Sequence, residues 1–276
     1  MNKGLVVNVC RSVFCIALWV ALASPLTAHE FWIEPVSYQV AAGDTVVANL
    51  RNGERFDGYG HPYVESTTNR FDLFLNGFAT PVKSRVGDNP ALKSTVNEPG
   101  LAIIVHEKKA ATLRYVKWEK FQKFADHKGF DNIRQRHQAR GLPETGFKEA
   151  YSRFSKSLVA IGGGEGSDQP VDLEVELVAL NNPYTDDMAN GMKVIALYRG
   201  ERVPHIQIEL FEKKRNGDVS ITLHKTDSDG EVLLPVKAQS SYLVDMVILR
   251  EPSAEVAMQL SVAWESLWAS LTFAVP

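Results

Sequence analysis

Short apolar runs, broken every few residues by Gly, Asn or Pro, recur along most of this 276-residue chain and confine it to a β architecture. Ser37 to Val40 leads into Ala42-Gly43-Asp44, and Thr45 to Leu50 follows at once. Phe71 to Leu75 stops at Asn76-Gly77, and Gly100 to Val105 is another such run. Past a glycine-rich stretch the pattern resumes at Val171 to Leu180, Met192 to Tyr198, Ile206 to Phe211, Val219 to Leu223 and Val232 to Val236. Runs of β-branched and aromatic residues at this spacing read as antiparallel sandwiches. The expected fold is mainly β, with two immunoglobulin-like β-sandwich domains. No fixed repeat period points to a solenoid or propeller.

One stretch breaks the pattern. Between about residues 117 and 158, Phe121, Phe124 and His127 recur at helical spacing, then Ile133 with His137, then Ala150, Tyr151, Phe154 and Leu158. That period predicts amphipathic helices, with breaks at Gly129 and Gly141-Leu142-Pro143. The stretch is expected to be a helical insertion in an N-terminal domain spanning 29–161. The run Gly162-Gly163-Gly164-Glu165-Gly166 opens a linker over 162–170, and a C-terminal domain covers 171–276. The glycines lack the Gly-Lys-Ser/Thr ending of a phosphate-binding loop.

Residues 1–28 read as a secretory signal peptide. Lys3 and Arg11 precede an apolar run from Val13 to Ala23 that is too short to span a bilayer. Two cleavage sites compete, after Ala23 and after Ala28. Both cysteines, Cys10 and Cys15, lie in this segment, so the remainder has no disulfide, thiolate ligand or cysteine nucleophile. Export predicts a periplasmic protein without a membrane span in the mature chain. A formal net charge of −3 argues against nucleic acid as a partner and does not oppose metal cations.

Histidines carry the candidate chemistry. With cleavage after Ala28, His29 begins the mature chain, and its amine and imidazole form a chelating pair. One further imidazole completes a three-nitrogen site suited to copper, nickel or cobalt. His61 sits in the loop-like Gly58-Tyr59-Gly60-His61-Pro62-Tyr63, and His106 ends the run from Gly100 to Val105. These two are the candidate partners of His29, with Glu30 and Glu34 as supporting oxygen donors. His127, His137, His205 and His224 read as structural. Asp227, Asp229 and Glu231 imitate part of a calcium loop, but Ala238 stands where its closing glutamate belongs, so an ordinary turn is expected. There is no Gly-x-Ser-x-Gly elbow or Ser-x-x-Lys signature, and the expectation is that the protein is not an enzyme.

The order of motifs resembles a known family. His29-Glu30-Phe31-Trp32-Ile33-Glu34-Pro35 opens it. Gly53-Glu54-Arg55-Phe56, Tyr151 to Lys156, Leu180 to Tyr184, Thr226 to Gly230 and Trp264 to Phe273 follow. Together they resemble an uncharacterised bacterial periplasmic family grouped with components of cobalt and nickel transport. The resemblance implies a β-rich periplasmic protein with an immunoglobulin-like C-terminal half, working beside a metal-uptake transporter or an outer-membrane receptor. It favours cleavage after Ala28, because the family motif begins with the histidine. One departure is Ile248, where the resemblance leads one to expect a late histidine.

The expected function is therefore binding of a divalent transition metal (nickel, cobalt or copper) as an accessory to uptake, through His29, His106 and His61. Two alternatives stand beside it. One is a glycan- or protein-binding sandwich that uses Trp264 and Trp268, although core packing is the favoured reading of those tryptophans. The other is a copper oxidoreductase built on a histidine brace.

Overall fold

A computed structural model describes residues 29–276, so the signal-peptide reading lies outside the described residues. In chain order the strands are β1 (Glu30–Pro35), β2 (Gln39–Val40), β3 (Thr45–Glu54), β4 (Asp57–His61), β5 (Thr68–Leu75), β6 (Phe78–Pro81), β7 (Leu92–Thr95) and β8 (Gly100–Tyr115). Helices α1 (Trp118–His127) and α2 (Ile133–Ala139) follow. The chain continues through β9 (Phe147–Ile161), β10 (Val175–Ala179), β11 (Met192–Tyr198), β12 (Glu201–Arg202), β13 (Gln207–Lys214), β14 (Val219–Lys225), β15 (Glu231–Leu234) and β16 (Ser240–Arg250). Helix α3 (Ala254–Leu260) and strand β17 (Trp264–Val275) close it. Strand makes up 51% and helix 11%, so the protein is mainly β.

A nine-stranded sheet forms the middle layer, in the order β14-β13-β16-β17-β9-β8-β5-β6, with β2 also paired to β9. Its strands come from both sides of the glycine-rich run. The seam is a parallel pairing of β17 with β9, from Trp264 opposite Glu149 to Thr272 opposite Ser157. Two four-stranded sheets cover it. One takes β1, β3, β4 and β7, and the other β10, β11, β12 and β15.

Alternation along β8 shows how the layers are assigned. Leu101, Ile103 and Val105 pack with β10 and β11 residues such as Val175, Leu177 and Val194. Ala102 and Ile104 point the other way, to Phe31, Ile33, Val46 and Leu50. Successive side chains of a strand face opposite sides, so a strand covered on both is apolar at every position. That is why Gly100 to Val105 shows no polar alternation. The same face that carries the β1–β3–β4 sheet is covered further along by the helices. There Trp118, Phe121, Phe124 and Ile133 pack on Val247, Leu249, Trp264 and Trp268.

The helical reading holds for α1 and α2 and fails after them. Residues Phe147–Ile161 form a 15-residue strand, where the spacing of Ala150, Tyr151, Phe154 and Leu158 predicts a helix. β9 lies in the interior of the central sheet between β8 and β17, and nearly every side chain on it is buried. A run buried on both faces loses its period of two and offers accidental helical spacings. The run from Gly162 is held by hydrogen bonds. Leu101 N donates to Glu165 O, and Asn182 Nδ2 donates to the carbonyls of Gly164 and Gly166.

Two buried charge clusters join the layers. Lys128, at the end of α1, meets Asp245 of β16 at 2.8 Å and Glu209 of β13 at 3.0 Å. Lys156 of β9 meets Asp168 at 2.7 Å and Glu176 of β10 at 2.9 Å.

Candidate functional site

β4 ends at His61 because the β3–β4 hairpin pairs Leu50 with His61 and Asn52 with Tyr59. β1 lies along the other edge of β3, with Phe31 opposite Asn52. This brings His29, Phe31, Asn52, Tyr59 and His61 to one end of the covering sheet. Beneath them, β8 and β9 slip register between Lys108 and Ala111. Such a bulge bends the strand and re-aims its side chains. The result is a pocket of about 250 Å³, lined by those five residues and by Lys108, Leu113, Glu149, Tyr151 and Arg153.

His29 and His61, 32 positions apart in sequence, thus line the same pocket. His29 is partly exposed, and its Nδ1 lies 3.2 Å from a Glu54 carboxylate oxygen. His61 Nδ1 is 2.8 Å from the Pro62 carbonyl, and its Nε2 is 3.2 Å from the Lys108 ammonium. The ammonium only donates, so Nε2 accepts and Nδ1 carries the proton. Burial, then the nearby Lys108 charge, lowers the His61 pKa.

His106 is not brought into the pocket lining. It is 1% exposed, and its ring packs between Phe31 at 5.5 Å and Phe71 at 5.1 Å. Its Nε2 contacts the Thr68 hydroxyl at 3.3 Å, and its buried Nδ1 has no hydrogen-bond partner. Burial pushes its pKa down to about 3, so it is a neutral core imidazole. Glu34 accepts from Arg51 at 2.6 Å and Lys213 at 3.0 Å, and Glu30 lies 4.0 Å from Lys128 in the buried cluster. Neither acid lines the pocket.

The other histidines are structural or solvated. His137 is fully buried, accepting from Trp264 Nε1 at Nδ1 over 2.9 Å. His127 meets Glu209 at 3.2 Å, and half-buried His224 contacts Thr222. Trp264 and Trp268 are covered by the helices, so they form no sugar platform, as core packing required. Asp227 accepts from the backbone N–H groups of Asp229 and Glu231, which is an ordinary turn. Among the described residues, no group of three or more His, Cys, Asp or Glu side chains converges as a metal site. The described side chains of this pocket therefore offer two imidazoles, and a third nitrogen must come from the His29 amine.

Sequence reasoning missed the basic floor of the pocket. Arg153 is 7% exposed, its guanidinium stacked 4.4 Å over Trp268 and 5.3 Å from the Tyr151 ring. Lys108 reaches over Phe31 at 4.8 Å. Burial lowers both pKa values, with Arg153 also lowering that of Lys108. Glu149 is the pocket's one carboxylate, and burial raises its pKa. Its oxygens accept from Ser266 and, at 2.6 Å, from Tyr115. On strand spacing Glu149, Tyr151 and Arg153 share a face. A strand assignment for Tyr151 to Lys156 would have exposed that signal.

A family model described as a domain of unknown function, DUF4198, matches residues 26–249. No curated protein matches the sequence. Among solved structures, the D0-D1 domain of Intimin matches at 12% identity, covering 88% of this chain and 97% of that one, with a TM-score of 0.20.

Proposed function

We propose that this chain, which belongs to the DUF4198 family, is a periplasmic protein that binds a divalent transition metal (nickel, cobalt or copper) as an accessory to metal uptake. The observation that carries the reading is the placement of His29 and His61 in one pocket. His29 supplies the amine and Nδ1 once cleavage after Ala28 frees it, and His61 supplies Nε2. The Pro62 carbonyl holds the proton on His61 Nδ1, so the ligating lone pair is the one on Nε2 that accepts from Lys108. A carbonyl partner of this kind fixes the tautomer and orients a ligating imidazole. Two local groups must move as the metal enters. Glu54 releases His29 Nδ1, and the Lys108 ammonium leaves His61 Nε2.

Isothermal titration with nickel, cobalt and copper tests this on protein beginning at His29 and on protein carrying one extra residue before it. The first should bind with micromolar or tighter affinity. The second, and His61→Ala, should lose about tenfold or more, because each lacks one of three nitrogens. Equal binding by all three proteins rejects the proposal. Affinity should also fall in acid, since only the neutral amine and imidazole coordinate.

A further inference from the structure

Arg153 presents a problem that the metal reading leaves unsolved. It is a buried guanidinium with five N–H donors, yet it makes no hydrogen bond or ion pair among the described residues. Its Nη1 is fully buried and without a partner. The other buried cations are treated differently: Lys128 and Lys156 each hold two carboxylates at 3.0 Å or less. Asp245, Glu30 and Glu149 lie near enough to favour the charge on Arg153, but none forms a pair with it. Burying a charge without hydrogen-bonding partners is among the most costly arrangements in a protein interior. Arg153 lines the pocket, and Lys108 beside it faces a histidine in place of an acid.

We infer that this pocket is a binding site for a small organic carboxylate, anchored by Arg153 and Lys108. The guanidinium fork matches a carboxylate with two parallel hydrogen bonds, and the ammonium adds a third charged donor. Glu149, held by Ser266 and Tyr115, is the one acid in the lining and faces two cations there. Phe31, Tyr59, Tyr151 and Leu113 give the walls an apolar character, which favours a carbon-bearing acid over bare phosphate. A pocket of about 250 Å³ has room for a small di- or tricarboxylic acid. The subsite needs neither the His29 amine nor a metal, and an anion there would offset two cations that otherwise repel an incoming dication.

Calorimetry with succinate, citrate and inorganic phosphate is the test. The protein is stripped of metal with a chelator and then desalted, because common chelators are themselves polycarboxylates. Saturable binding of succinate or citrate at low-millimolar or tighter affinity is expected, with phosphate weaker. Arg153→Gln should abolish it. Lys108→Met, at a half-buried position where methionine keeps the length of the side chain, should weaken it about tenfold through loss of a charge-assisted bond. Protein carrying one extra residue before His29 should bind carboxylate as the parent does while its metal affinity falls about tenfold or more, which separates this proposal from the metal reading. No saturable heat from either organic acid, phosphate binding as tightly as they do, or undiminished binding in Lys108→Met would each overturn it.

Discussion

Arg55 and Phe56 sit at the tip of the β3–β4 hairpin, each with φ of 56°. A two-residue hairpin loop with both residues left-handed is ordinarily made from Asn and Gly. Phe56 is held there by burial: its ring meets Trp32 at 5.6 Å, and the Lys213 ammonium lies 4.1 Å over it. Arg55 is exposed, with no hydrogen bond or ion pair among the described residues. Arg55→Gly should therefore raise stability by about 1 kcal/mol, as a left-handed conformation is relieved at a site with no packing to lose. Urea unfolding checks this, and a fall in midpoint would show that the arginine is engaged. Glycines beside the tip are fixed by close approach. A Cβ on Gly58 would lie 2.6 Å from the Asn52 carbonyl oxygen, against the strand that carries the pocket wall.

Helix α1 is an element that the sequence identified and the sheet positions. Its apolar side packs on Trp264 and Trp268, and its C-terminal end is tied by His127 and Lys128. The hydrogen bond to Glu209 raises the His127 pKa against the opposing effects of burial and Lys128. A raised histidine pKa adds stability that is full below the unfolded value of about 6.5 and fades as pH climbs through the higher folded value. His127→Ala should thus be less stable than the parent at pH 6 and match it at pH 9. The gap will be small, because the imidazole is well exposed. Denaturant midpoints at both pH values measure it, and a gap independent of pH would mean that the ion pair contributes nothing. Element type was legible where one face meets solvent, as in α1. It was not legible in β9, where two covered faces erase the period that distinguishes strand from helix.

At the scale of the molecule, three β layers depend on β9 and β17. β9 pairs with β8 on one side and with β17 and β2 on the other, and both covering sheets rest on it and its neighbours. Lys156 carries this arrangement into charge. From the middle of β9 it meets Asp168, Glu176 and the Gln169 carbonyl, tying the β10–β11 sheet to the central layer. Lys156→Ala leaves two buried acids without their cation and should cost about 3–5 kcal/mol. Thermal or chemical unfolding reads this, and a loss within about 0.5 kcal/mol would show that solvent or a rearranged side chain supplies the missing charge.

The sequence alone determined the β class, the α1–α2 insertion, and the turns at Asn76-Gly77 and Asp227 to Gly230, because local propensity and turn chemistry act over a few residues. It also picked out the histidines as the candidate ligands, by residue type. Tertiary structure decided which of them meet. The hairpin register carries His61 to the pocket that His29 lines, while His106, on the same face of β8 as Lys108, is packed in the core between the Phe31 and Phe71 rings. Arg153 became visible as a site residue only through its missing partner, since an unpaired buried charge is a property of the surroundings and not of the residue.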